Sequence, residues 1–314
     1  VIERTRTVVA AFLILILGGA AVPAAAAPVD RKFDFNLRGR IPGTFEFMEK
    51  AGSTIQGPRG IEAAETDPGS FGWRFNGEYF RRASSDLVTT WTAPARWDGA
   101  DILTAAAFAG ATGLLFAFDR DIYSWVQDHK TPGSIDVSSV ISKMGNGGYL
   151  AGFLAVLYGG GELFDSRPLR KTALVGLESF IAASTVILAI KAVIGRARPY
   201  TGEDPDSFHP FSFKGRYTSF ASGDAAGAFA VATTIASQSD SFWLDALAYG
   251  TAGLVAVYRV HDRKHWPSDV FAGSAIGYFT ARAINALNKE GGSGLNVFVQ
   301  AGPDRHSVTF SFAF

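Results

Sequence analysis

Apolar residues are unevenly spread along this chain. From residue 98 to about 287, apolar stretches of helical length follow one another with brief polar breaks, which predicts a run of α-helices. The first is nearly uncharged from 102 to 118, and a second follows the glycine-rich stretch 145–148. A third runs from 173 to 190 and carries Glu178, and a fourth begins near Ser222. A fifth covers 243–258 and a sixth runs from Pro267 to about 287. Six such stretches predict a mainly α fold, a six-helix bundle occupying residues 98–290.

The two ends have a different pattern. Residues 28–97 are punctuated by Gly and Pro, with short alternations at 33–37 and 44–48, and are expected to form loops with two short strands. Near the C-terminus, Val308, Phe310, Phe312 and Phe314 alternate with Ser307, Thr309 and Ser311 after a turn at 302–304. That pattern predicts a β-hairpin within residues 291–314, with 295–300 as the partner strand. A membrane barrel needs at least about eight strands, and the helical segment leaves no room for them, so a small sheet on the helical core is expected. Residues 1–27 read as an export signal: Arg4 and Arg6, an apolar run from 8 to 17, then alanines at 24–27. The apolar run is short for a membrane span, so cleavage and export to the cell envelope are expected.

Composition narrows the function classes. The 314 residues hold 29 basic and 29 acidic side chains, so bulk charge recruits neither nucleic acid nor an anionic surface, and any anion site must be local. The absence of cysteine excludes a disulfide framework, a thiolate metal site and a thiol nucleophile. With 47% hydrophobic and 18% charged residues, the chain suits a buried soluble core or a bundle in lipid. Helices of about 13–20 residues have the same hydropathy in either setting. Small residues recurring at 105–113 and 271–277 permit close helix approach, and the reading favours membrane insertion.

Three short stretches near predicted helix ends stand out in this region, and two of them carry closely spaced cationic and imidazole groups. In the first, Lys191 and Arg198 stand seven residues apart, about two helical turns, and share a face. Pro199 then stops the helix. An ammonium and a guanidinium projecting together suit a tetrahedral oxyanion. In the second, Ser222 falls where an N-cap belongs, followed by Gly223 and Asp224. The free N–H groups of such a terminus attract an anion, and Gly223 lets it come close. The third contains Arg259, His265 and Asp269, with Pro267 fitting a first helical turn. Asp269, four residues after His265, is placed to reach the imidazole. A carboxylate on one ring nitrogen fixes the tautomer and leaves the other nitrogen free to attack phosphorus. Taken singly, each stretch has a plain structural explanation; it is their clustering that points to a site.

Together the three stretches resemble the type-2 phosphatidic acid phosphatase and vanadium haloperoxidase superfamily, whose pattern is KxxxxxxRP, then PSGH, then SRxxxxxHxxxD. Lys191, Arg198 and Pro199, then Ser222 and Gly223, then Arg259, His265 and Asp269 match it in order. The resemblance implies a six-helix bundle with His265 as nucleophile and Asp269 as its orienter. It implies Lys191, Arg198, Arg259, Ser222 and the Gly223 N–H as phosphate ligands, with no metal or other cofactor. The activity it implies is hydrolysis of a phosphomonoester or pyrophosphate by way of a phosphohistidine. Apolar helices around the site make a phosphorylated lipid the expected substrate, of the phosphatidate or isoprenyl-pyrophosphate type, handled at a membrane and facing the periplasm.

The chain departs from that pattern at three positions. Ala221 stands for proline, Tyr258 for serine and Asp224 for histidine. The last matters most, because that histidine protonates the leaving oxygen in the family, and a carboxylic acid would have to do so here. His209 and His261 are alternative acids by proximity in sequence. A vanadate-dependent haloperoxidase, with vanadate as cofactor in the same cradle, is the alternative enzyme; it fits less well, since its chemistry uses the histidine that Asp224 replaces. A weakly active lipid-phosphate binding protein is the alternative from another class.

Overall fold

In a computed structural model of the chain, the structure describes residues 71–289, 295–302 and 305–312. The chain divides into two compact units, and Gly72–Lys289 lies in the helical one. Among the described residues that unit holds nine α-helices: α1 (Gly77–Thr92), α2 (Gly99–Ala117), α3 (Asp119–Asp128), α4 (Pro132–Met144), α5 (Gly147–Leu163), α6 (Arg167–Ile194), α7 (Gly223–Ser237), α8 (Phe242–His261) and α9 (Pro267–Leu287). In the other unit, β1 (Leu295–Gly302) pairs antiparallel with β2 (Arg305–Phe312), in a register running from Leu295↔Phe312 to Gly302↔Arg305.

The fold is mainly helical, and α7 is its axis, packed against α6, α8 and α9. Every residue of α7 from Ala225 to Thr234 is buried, because a helix this rich in Ala and Gly can be surrounded without leaving space for long side chains. Its contact with α9 is backbone to backbone. A Cβ placed on Gly273 would lie 2.3 Å from the Ser222 carbonyl oxygen, and one on Gly277 would lie 2.1 Å from that of Ala226. Only glycine fits there. The closeness lets the Ser222 N–H donate to the Asp269 carbonyl at 2.9 Å, which joins the start of α7 to the start of α9. The second and third sequence stretches are thereby brought together.

The six predicted stretches correspond to α2 and α5–α9, and three more helices accompany them. The expectation of loops up to residue 97 is corrected by α1, capped by the Asn76 side chain accepting from the Tyr79 N–H. Its buried positions are Tyr79 and Asp86, two turns apart, so it lacks the repeated apolar face that marks the later helices. The Tyr79 hydroxyl donates to the Leu174 carbonyl at 3.1 Å, tying α1 to α6. Helices α3 and α4 occupy what the sequence presented as a polar break. Among the described residues two helices, α2 and α6, are long and apolar enough to cross a membrane; most of α2 is exposed, with Leu115 its buried residue. The leader at 1–27 and the expected strands at 33–37 and 44–48 lie outside the described residues.

Candidate active site

Helix α6 delivers Lys191 in its last turn and stops at Gly195, whose φ of 62° is left-handed. A Cβ at Gly195 would sit 1.8 Å from the His209 carbonyl oxygen, so glycine both ends the helix and admits the returning loop. The chain then extends through Arg198 into Pro199. Lys191 Nζ donates to the Thr218 carbonyl at 2.6 Å, and Arg198 Nη2 donates to Thr218 Oγ1 at 3.1 Å. The two cations therefore converge on one residue of the loop before α7.

At the start of α7 the Ser222 hydroxyl accepts from the Ala225 N–H at 3.3 Å, an N-cap. Gly223 and Asp224 form the first turn. Asp224 is ion-paired with Arg259 from the last turn of α8. The Nε–H groups of Arg198 and Arg259 are both buried and have no hydrogen-bond partner among the described residues, which leaves two donors for an anion.

His265, buried just before α9, has Nδ1 at 2.7 Å from the Ser219 carbonyl oxygen. A carbonyl only accepts, so in the neutral ring Nδ1 carries the proton and Nε2 holds the lone pair. Burial pushes the imidazole down to about 4, and nearby Lys191 and Arg198 act in the same direction against Asp269. At neutral pH the ring is uncharged. The expected direct bond from Asp269 is corrected: its Oδ2 stands 3.9 Å from His265 Nδ1, beyond hydrogen-bonding range. Asp269 instead accepts from Ser219 Oγ at 2.5 Å, from the Trp266 N–H at 2.8 Å and from Arg196 Nη1 at 2.6 Å. Burial alone would raise its carboxyl, but Arg196, His265 and Ser219 outweigh burial and hold it below the usual range.

Lys191, Arg198, Gly223, Asp224 and His265 line one cavity of about 630 Å³, whose remaining wall includes Phe180, Ile187, Leu188 and Phe213. Of the other residues expected at the site, Arg259 meets this group through Asp224, and Ser222 and Asp269 are buried. The alternative acids stand elsewhere. His209 bonds to Glu203 at 2.9 Å and stacks on Tyr217, while His261 is held between Ser134 and Asp262 at 3.0 Å each. Sequence reasoning missed Thr218, Ser219, Arg196 and Asp119. Arg196 and Ser219 lie inside or beside the motifs already singled out. Asp119 is 77 residues from its partner Arg196, with no local signal to mark it. Among the described residues no three His, Cys, Asp or Glu side chains gather as metal donors.

The helix ends thus direct two cations, a helix N-terminus and a neutral imidazole toward one cavity, a set of groups suited to a tetrahedral anion. Residues 172–291, which contain every motif residue named above, match the model of the PAP2 superfamily. No protein of curated function matches the chain. Among solved structures, the chain is similar to Aquifex aeolicus LpxE, at 21% identity over 52% of this chain and 93% of that one, with a TM-score of 0.43. It is also similar to a transmembrane PAP2-type phosphatidylglycerolphosphate phosphatase from Bacillus subtilis, at 16% identity over 66% and 96% of the two chains, with a TM-score of 0.41.

Proposed function

We propose that this chain is a phosphatase that hydrolyses a lipid phosphomonoester or pyrophosphate through a phosphohistidine on His265. The observation that carries the reading is the imidazole itself. It is neutral, its Nδ1–H is committed to Ser219, and it lines the same cavity as Lys191 and Arg198. In the proposed reaction the Nε2 lone pair forms a bond to phosphorus while the P–O bond to the leaving group breaks. Lys191, Arg198 and the N–H groups at the start of α7 hold the phosphoryl oxygens. Arg259 joins them by exchanging Asp224 for a phosphate oxygen, and the released Asp224 carboxylate relays a proton from a solvent water to the leaving oxygen. Water then cleaves the N–P bond and releases phosphate. No cofactor enters this scheme.

The apolar wall of Phe180, Ile187, Leu188 and Phe213 supports a substrate with a hydrocarbon portion. The length and apolarity of α2 and α6 support work at a membrane, and the composition of residues 1–27 supports export to the cell envelope. The test is phosphate release by the detergent-purified protein from phosphatidic acid and from isoprenyl pyrophosphate. Wild-type protein should release phosphate from at least one of them and His265→Ala should not. Full release by His265→Ala would end the phosphohistidine reading.

A further inference from the structure

Behind His265 lies a buried polar chain that reaches well outside the motif-bearing segment. Arg196, with no exposed surface, is its centre. Its Nη1 donates to Asp269 Oδ1 at 2.6 Å and to Ser268 Oγ at 2.8 Å, its Nη2 to Asp119 Oδ2 at 2.6 Å, and its Nε to the Pro205 carbonyl at 2.7 Å. Asp119 and Asp269 are equally buried. Asp119 also accepts from Ser268 twice, from the N–H at 2.8 Å and from Oγ at 2.6 Å. The guanidinium is enclosed by the rings of Phe116, Phe208 and Trp266. The bonds among Arg196, Asp119, Ser268 and Asp269 are all short and buried, the condition in which one partner's position dictates the next.

We infer that Asp119 is a positioning residue for the His265 nucleophile, acting through Arg196, Asp269 and Ser219. Asp119 fixes the guanidinium, the guanidinium fixes the Asp269 carboxylate, and that carboxylate takes the Ser219 hydroxyl at 2.5 Å. The same Ser219 presents the carbonyl that receives the Nδ1–H of His265. Orientation of the ring is thus delegated to a backbone oxygen, and the backbone is held by the relay. Charge completes the argument. Burial pushes Asp119 up to about 6 against the pull of Arg196, with Asp269 adding to the rise, so at neutral pH it is ionised. Two carboxylates then face one guanidinium, and the surplus negative charge stands near a ring that becomes cationic once Nε2 bonds to phosphorus.

The kinetic part of this inference rests on the phosphatase reading, while the spectroscopic part does not. Asp119→Asn leaves Arg196 still paired with Asp269, so no buried charge is stranded. In ¹⁵N-histidine-labelled protein, with His265→Gln used for assignment, wild type should show one His265 tautomer with the proton on Nδ1. In Asp119→Asn that single state should give way to a mixture. The kcat should fall on the order of 10–100-fold, the scale of a lost supporting contact, with KM within about twofold. Ser268→Ala, which keeps all three charges, should shift both readouts in the same direction by less, and it carries the test if Asp119→Asn does not fold. A folded variant whose His265 keeps its single Nδ1–H tautomer overturns the inference, whatever its kcat. A wild-type protein that releases no phosphate would remove the phosphatase reading and leave the tautomer measurement to decide this one.

Discussion

The contact between α7 and α9 allows a quantitative prediction at Gly273. Alanine there would place its Cβ 2.3 Å from the Ser222 carbonyl oxygen and 3.1 Å from both the Ser222 N and C atoms. Ordinary contact begins at 3.4 Å, so the helices must separate by about 1 Å, and the obstacle is backbone that cannot rotate away. Overpacking of this kind costs about 1–3 kcal/mol. At roughly 2–4 °C per kcal/mol for a domain of this size, the melting temperature in detergent should fall by several degrees. The functional effect should be larger. The strained atoms belong to the residue whose N–H bonds to the Asp269 carbonyl at 2.9 Å, so the shift parts the first turn of α7 from His265, the proposed nucleophile. A displacement of about 1 Å between reacting groups costs on the order of 100-fold in kcat. Gly223→Ala is the control: its Cβ would meet nothing closer than Ile187 Cγ2 at 3.6 Å, so stability should hold while KM rises because the methyl occupies the phosphate's approach. Wild-type melting temperature and kcat in Gly273→Ala would refute the claim that this contact registers the two halves of the site.

Other expectations follow from the same geometry. An NMR titration of the His265 ring should give a midpoint near 4 instead of the usual 6.5. The unfolded chain then binds the proton more readily between those values, so stability should rise with pH across that window and level off above it; a denaturation series flat over the window would contradict this. Replacing Asp224 by His frees Arg259 and restores an imidazole acid, so turnover at pH 7 should rise at least about tenfold, within the range open to general acid catalysis. A fall in turnover would instead identify aspartate as the working acid. Arg198→Ala should lower kcat/KM on the order of 100-fold, and Arg198→Lys should recover little of it, since an ammonium has neither the planar fork nor the buried Nε–H. Equal activity of the Lys variant would show that charge alone suffices.

Much of the cavity was legible because its residues sit where helices begin and end, and such positions are marked by proline, glycine and serine. Lys191 and Arg198 precede Pro199, Ser222 caps α7, and His265 precedes Pro267. What was not legible required knowledge of distant neighbours. The spacing of His265 and Asp269 is that of a direct pair, yet the carboxylate is drawn away by Arg196, Ser219 and the Trp266 N–H. Asp119 sits at the head of a polar helix with nothing nearby in sequence to single it out. Helix α1 escaped notice because it buries a tyrosine and an aspartate instead of an apolar stripe.

The glycine seam between α7 and α9 also bears on how such a site can diversify. Just behind Gly223, which lines the cavity, main chain is pressed on main chain, where no larger residue is admitted. Adaptation to a different substrate is left to side chains such as Phe180, Ser184 and Leu188 on α6 and Ser212 and Phe213 in the loop that follows it. Lys191 lines the cavity from that same helix, so a change of clientele has to be made around the ammonium without moving its helix.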